Sequence, residues 1–139
     1  MGKRFKKALQ ALSLVILITI GCLAFMPWKI SEVIEPLSET DRCMILRYDQ
    51  NYSTAYPSGE DLERLVATMA GSTGHFDRVR SQLTYYGEEP LYRIYLWTPA
   101  GRIPEVWICG PAFFYEGAQY TLNDDAAARL NEVLASCFS

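Results

Sequence analysis

The sequence predicts an α+β domain behind one membrane-spanning helix. The expected domain is an antiparallel sheet of about five to six strands with two helices on one face, in the order β-α-β-β-β-β-β-α. Three observations carry this expectation. The first 28 residues join a basic tip to a long uncharged apolar run. Short alternating segments fill the middle of the chain, separated by Gly- and Pro-containing turns. Two stripes at helical spacing, Leu62/Leu65/Val66/Met69 and Leu130/Val133/Leu134/Cys137, need one apolar sheet face to cover. The chain thus divides into a basic tip and anchor (1–28), a juxtamembrane linker (29–42) and a folded domain (43–139).

The anchor opens with Lys3, Arg4, Lys6 and Lys7, and no charge follows from Ala8 to Trp28. At 1.5 Å rise per residue, those roughly 21 residues reach about 30 Å, the thickness of a hydrocarbon core. A helix satisfies its own backbone hydrogen bonds there, so residues 8–28 are expected to meet the lipid bilayer directly. The basic tip keeps the N-terminus in the cytoplasm by the positive-inside rule and sends the domain outside a cell membrane, with Trp28 and Lys29 at the interface. Two other fates compete with an uncleaved anchor. Small residues at Cys22 and Ala24 permit cleavage after Ala24 and secretion. Thr19-Ile20-Gly21-Cys22 is similar to a lipoprotein cleavage box, with Thr19 in the place usually held by Leu, and would put a lipid on Cys22.

From Lys29 on, nine basic residues face 16 acidic ones, a net of −7. An acidic domain is a poor partner for nucleic acid. The aromatic share of 13%, with nine tyrosines, argues for a folded domain rather than a disordered tail. Cys43, Cys109 and Cys137 allow at most one internal disulfide, or are simply small buried side chains. Their spacing matches no zinc pattern, and no cofactor is implied.

Taken in order, Lys29–Leu37 is a short segment ended by Pro36, and residues 38–42 form a polar loop. Cys43–Asp49 alternates as the first strand. Helix A follows a turn-rich stretch, with Ser58 as its expected cap and Gly71 as its stop. Gly71-Ser72-Thr73-Gly74 is expected to be a loop. Gln82–Tyr86 reads as the second strand, Leu91–Thr98 as the third and Ile103–Cys109 as the fourth, joined by hairpin turns. Pro104 fits the fourth strand only where its missing N–H falls outside the ladder. Phe113–Tyr115 and Ala118–Thr121 flank the tight turn Glu116-Gly117. Helix B follows, with Asn123 as its cap and Asp124 and Asp125 in its first turn.

This order of elements resembles a group of small extracytoplasmic domains of Gram-positive bacteria that carry an N-terminal anchor or lipoprotein signal. The matching pieces are Leu62-Glu63-Arg64-Leu65, Tyr92-Arg93-Ile94-Tyr95-Leu96, Val106-Trp107-Ile108-Cys109-Gly110 and Tyr115-Glu116-Gly117-Ala118-Gln119-Tyr120. The resemblance implies fold and location and transfers no catalytic residue.

Chemistry has few footholds. His75 with Asp77 suggests a base and its orienting carboxylate, but a hydrolase also needs a placed nucleophile and an oxyanion hole. The glycine-rich loop lacks the lysine and the following helix of a phosphate cradle. Asp124-Asp125 and Glu88-Glu89 are explained by helix capping and a solvated hairpin. A non-enzymatic role is therefore expected.

One surface stands out. If Ile94, Leu96, Val106 and Ile108 face the helices, then Arg93, Tyr95, Trp97, Glu105, Trp107 and Cys109 face the other way. Arg93 then lies near Glu105, and Tyr95 and Trp97 beside Trp107, with Tyr85 extending the patch. Such a face docks a protein partner through aromatic anchors, or stacks on wall carbohydrate or another small ligand. Alternatively, the segment 50–59 or the 113–115 hairpin folds over it.

Overall fold

The computed structural model describes residues 2–49, 51–79 and 89–138. The apolar segment is a continuous helix, α1 (Gly2–Phe25). Its stretch Gly2–Cys22 is long and apolar enough to cross a bilayer and is not buried against the rest of the chain. The Thr19 hydroxyl donates to the Val15 carbonyl at 2.8 Å, so this polar group is satisfied within the helix itself.

Only Met26 separates α1 from a strand, β1 (Pro27–Lys29). Next come α2 (Ile30–Val33) and a 3-10 turn (Glu35–Glu39) started by Pro36. Ile30, Ile34 and Leu37 are at most 3% exposed and belong to the main core. The stretch expected as a linker therefore packs into the domain.

The remaining elements are β2 (Arg42–Tyr48), β3 (Tyr52–Ala55), α3 (Glu60–Gly71), β4 (Thr73–Val79), β5 (Leu91–Thr98), β6 (Gly101–Cys109), β7 (Ala112–Tyr115), β8 (Ala118–Leu122) and α4 (Asp124–Ser136). All strands join one antiparallel sheet of order β1-β4-β8-β7-β6-β5-β2-β3. The α+β class holds, but the sheet has eight strands rather than five or six. The additional strands come from the residues just after α1 (β1), the turn-rich stretch (β3) and the end of the expected loop with the polar run behind it (β4). The strand expected at Gln82–Tyr86, and Tyr85 with it, lies outside the described residues.

Strand β4 starts where a loop was expected because its first residues are already committed to neighbours. The Ser72 hydroxyl donates to the Thr68 carbonyl of α3 at 2.7 Å, and the Ser72 carbonyl accepts from the Ile30 N–H at 3.0 Å. The Thr73 carbonyl accepts from the Asn123 N–H at 2.9 Å. A Cβ on Gly74 would lie 2.6 Å from the Thr121 carbonyl oxygen, so only glycine lets β4 approach β8 there. Asn123 does sit at the cap position of α4, but its side chain donates to Thr73 Oγ1 at 2.7 Å instead of accepting from the helix. At α3 the cap position is Gly59, at φ +59°, rather than Ser58.

Both long helices cover one sheet face. Leu62, Leu65 and Met69 of α3 and Ala127, Leu130 and Leu134 of α4 meet Cys43 and Ile45 of β2, Ile94 and Leu96 of β5, and Ile103, Val106 and Ile108 of β6. All four cysteines are free. Burial pushes the Cys43 thiol up to about 12, with the nearby Cys137 adding to the effect.

Leu37 separates a tether from a core element. Leu37→Ala should destabilise the full-length protein by about 2–5 kcal/mol in urea unfolding in detergent, as for a buried leucine. A loss below about 0.5 kcal/mol, typical of a surface site, would show that the segment is a linker after all.

Candidate docking face on the outer side of the sheet

Alternation along β5 and β6 sends Tyr92, Ile94 and Leu96, and Val106 and Ile108, into the core. Arg93, Tyr95 and Trp97, with Glu105, Trp107 and Cys109, are left on the opposite side, half-buried. Pairing is interrupted once. Ile94 opposes Val106 and Leu96 opposes Ile103, so two residues, Pro104 and Glu105, stand across from Tyr95 alone. This is a β-bulge. It gives Pro104 a place where no ladder N–H is needed, and it keeps Ile103 in the core while Glu105 stays on the outer face.

Glu105 is the hub of that face. Arg93 Nη2 donates to both of its oxygens, at 3.2 and 2.9 Å. Trp107 Nε1 donates to Oε1 at 2.7 Å. Tyr95 is the third residue whose side chain hydrogen-bonds this carboxylate. Burial raises the Glu105 carboxyl, but the bonds from Trp107, Arg93 and Tyr95 outweigh it and leave its pKa below the usual carboxylate value. Arg93 Nη1 also reaches the Tyr48 hydroxyl at 3.4 Å.

Guanidinium groups and rings alternate across the strands. The Arg93 guanidinium lies 4.7 Å from the Trp107 ring centre and 5.6 Å from that of Tyr95. Tyr95 is stacked beside Trp97 at 6.5 Å and 28°. Arg102 lies 5.1 Å from the Tyr95 ring and Arg42 lies 4.5 Å from the Trp97 ring. At the far end, Trp107 meets Phe114 edge-on at 6.1 Å. Leu91 and Phe114 are buried here as a second small core, with Tyr48, Trp107, Cys109 and Ala112 packed against them.

The structure thus brings Tyr95, Trp97 and Trp107 onto one face, with the expected Arg93–Glu105 pair between them. Trp97, however, does not adjoin Trp107. It is in register with Arg42 on β2 and Arg102 on β6, and Arg93 and Tyr95 occupy the space between the two indoles. Arg42, Arg102, Tyr48 and Phe114 belong to the ladder but escaped the sequence reading. The regular registers of β2 against β5 and of β7 against β6 bring in Arg42, Tyr48 and Phe114, and only Arg102 depends on the bulge. Of the two expected covers, the segment 50–59 contributes residues 52–55 to the sheet as β3, and residues 113–115 lie in the sheet within β7.

The other expectations resolve separately. His75 is exposed and lies on β4 opposite Thr121 and Pro27, not in a loop. Asp77 accepts from Gln119 Nε2 at 3.1 Å and pairs with Arg78 at 3.4 Å. Asp124 and Asp125 occupy the first turn of α4. No protein-family model matches the chain, and neither a curated protein nor a solved structure is similar to it.

Glu105→Gln should cost about 1–3 kcal/mol in chemical unfolding, because the half-buried Arg93 loses its charged partner. Since the folded carboxyl is lowered, its contribution is present above about pH 4.5 and is lost as pH falls through the lower folded value. The variant should accordingly lose less stability than wild type across that acid range. Identical acid limbs for the two proteins would refute the role given to Glu105.

Proposed function

We propose that the chain is a single-pass membrane protein with a cytoplasmic N-terminus, and that its α+β domain works outside the cell as a non-enzymatic interaction module. The partner is a protein that docks on the outer sheet face. The orientation is supported by Lys3, Arg4, Lys6 and Lys7 in the first turns of α1 and by the absence of charge from Ala8 to Trp28.

The observation that carries the docking role is the guanidinium–aromatic ladder on the face opposite the helices. Half-buried tryptophan, tyrosine and arginine are the residue types in which interface energy concentrates. Here Arg93, Tyr95 and Trp107 are fixed in place by Glu105 before any partner arrives, which lowers the entropy lost on binding. Carbohydrate stacking is less well supported. It needs a free ring face, whereas Arg42 lies over Trp97 and Arg93 over Trp107.

Two measurements test this reading. A membrane-impermeant thiol reagent applied to intact cells should label Tyr56→Cys, on an exposed loop, and spare Arg4→Cys. The reverse pattern would overturn the orientation. A photo-crosslinking residue in place of Thr98 should form protein adducts in cells, and these should be lost with Trp97→Ala plus Trp107→Ala in a protein that still unfolds cooperatively. Unchanged adducts would remove the docking face.

A further inference from the structure

The docking face has its own charge, opposite in sign to the domain around it. Among the described residues three ion pairs form: Arg64–Asp61, Arg78–Asp77 and Arg93–Glu105. Arg42 and Arg102 are exposed and belong to none of them. The ladder therefore holds Arg42, Arg93 and Arg102 against one carboxylate, Glu105, with Asp41 at its rim, on a domain whose net charge is −7.

The register makes this island specific. Trp97 is the strand partner of both Arg42 and Arg102, so the two arginines flank it in one row. Two strand spacings set their Cα atoms roughly 10 Å apart. Each guanidinium is held over its own ring, Arg42 over Trp97 and Arg102 over Tyr95. A guanidinium laid on a ring keeps its N–H edge free, and that edge matches a carboxylate. Held over separate rings and separated by Trp97, the pair suits two anions spaced along a chain better than one small anion.

We infer that the outer face binds an extended acidic peptide segment, with two carboxylates on Arg42 and Arg102 and apolar side chains against the edges of Trp97 and Tyr95. This deepens the docking reading above and rests on it. A peptide supplies spaced carboxylates and apolar groups together, and a lone lipid headgroup supplies neither spacing nor apolar side chains. The acidic remainder of the domain repels the same segment and so confines it to this island.

The test uses full-length protein in phosphatidylcholine nanodiscs and a fluorescein-labelled peptide of alternating glutamate and valine, with serine in place of glutamate as the control. The glutamate peptide should bind and the serine peptide should bind more weakly. Arg42→Gln and Arg102→Gln should each weaken binding about two- to fivefold, the range for exposed charge pairs. Arg64→Gln, on the helix side, should leave it unchanged. Raising salt from about 0.05 M to about 0.5 M should weaken it further. Equal binding of both peptides, or equal affinity of the Arg42 and Arg102 variants and wild type, would overturn the inference. Protection of Trp97 from quenching by phosphatidylglycerol in the discs, with no binding of the glutamate peptide, would overturn it in favour of headgroup phosphate. In either failure, surviving photo-crosslinks at position 98 would leave the docking face standing and remove only its acidic ligand.

Discussion

A single carboxylate sets the shape of the face opposite the helices. Glu105 lies on the outer face with Trp107 by alternation and reaches Arg93, Trp107 and Tyr95. Without the bulge, the same alternation would put Ile103 and Val106 on opposite faces. With the bulge, both apolar residues stay in the core and the charge stays outside. Bound to Glu105, Arg93 sits between Tyr95 and Trp107, and from there the alternation of cation and ring extends to Trp97 and Arg42.

The second constraint is the short path from the apolar helix to the sheet. Met26 alone joins α1 to β1, and β1 is hydrogen-bonded to β4. Ile30, Ile34 and Leu37 then fill the core beneath α3 and α4. A domain on a long flexible linker samples a large volume; in the proposed membrane-anchored arrangement, a first strand that follows the helix directly would confine the domain to the membrane surface. For the proposed binding role this confinement would raise the effective concentration of any ligand held at that surface.

Much of this was readable from residue patterns. The periodic stripes of α3 and α4 and the alternation of β5 and β6 are strong local signals, and they correctly separated the core face from the outer face. The Arg93–Glu105 pair followed from simple cross-strand adjacency. The misses have specific causes. Pro27-Trp28-Lys29 is too short to read as a strand, and it becomes one only because β4 is there to pair with. Thr73–Val79 mixes glycine, histidine and charge, and its strand state comes from β8 and from the tight approach at Gly74. Trp97 does not meet Trp107 because antiparallel pairing sets Trp107 opposite Arg93, and Trp97 lies further along β5, opposite Arg102. Pro104 inside an otherwise regular strand was the one sequence sign that the register shifts.

The outer face is proposed to be a contact surface where the protein resides. Hydroxyl-radical footprinting compares the purified chain in neutral nanodiscs with the same chain in its native membrane. Tyr95, Trp97 and Trp107 should be oxidised in the first and protected in the second, while exposed Tyr56 is oxidised equally in both. Equal oxidation of all four residues in the two settings would contradict it.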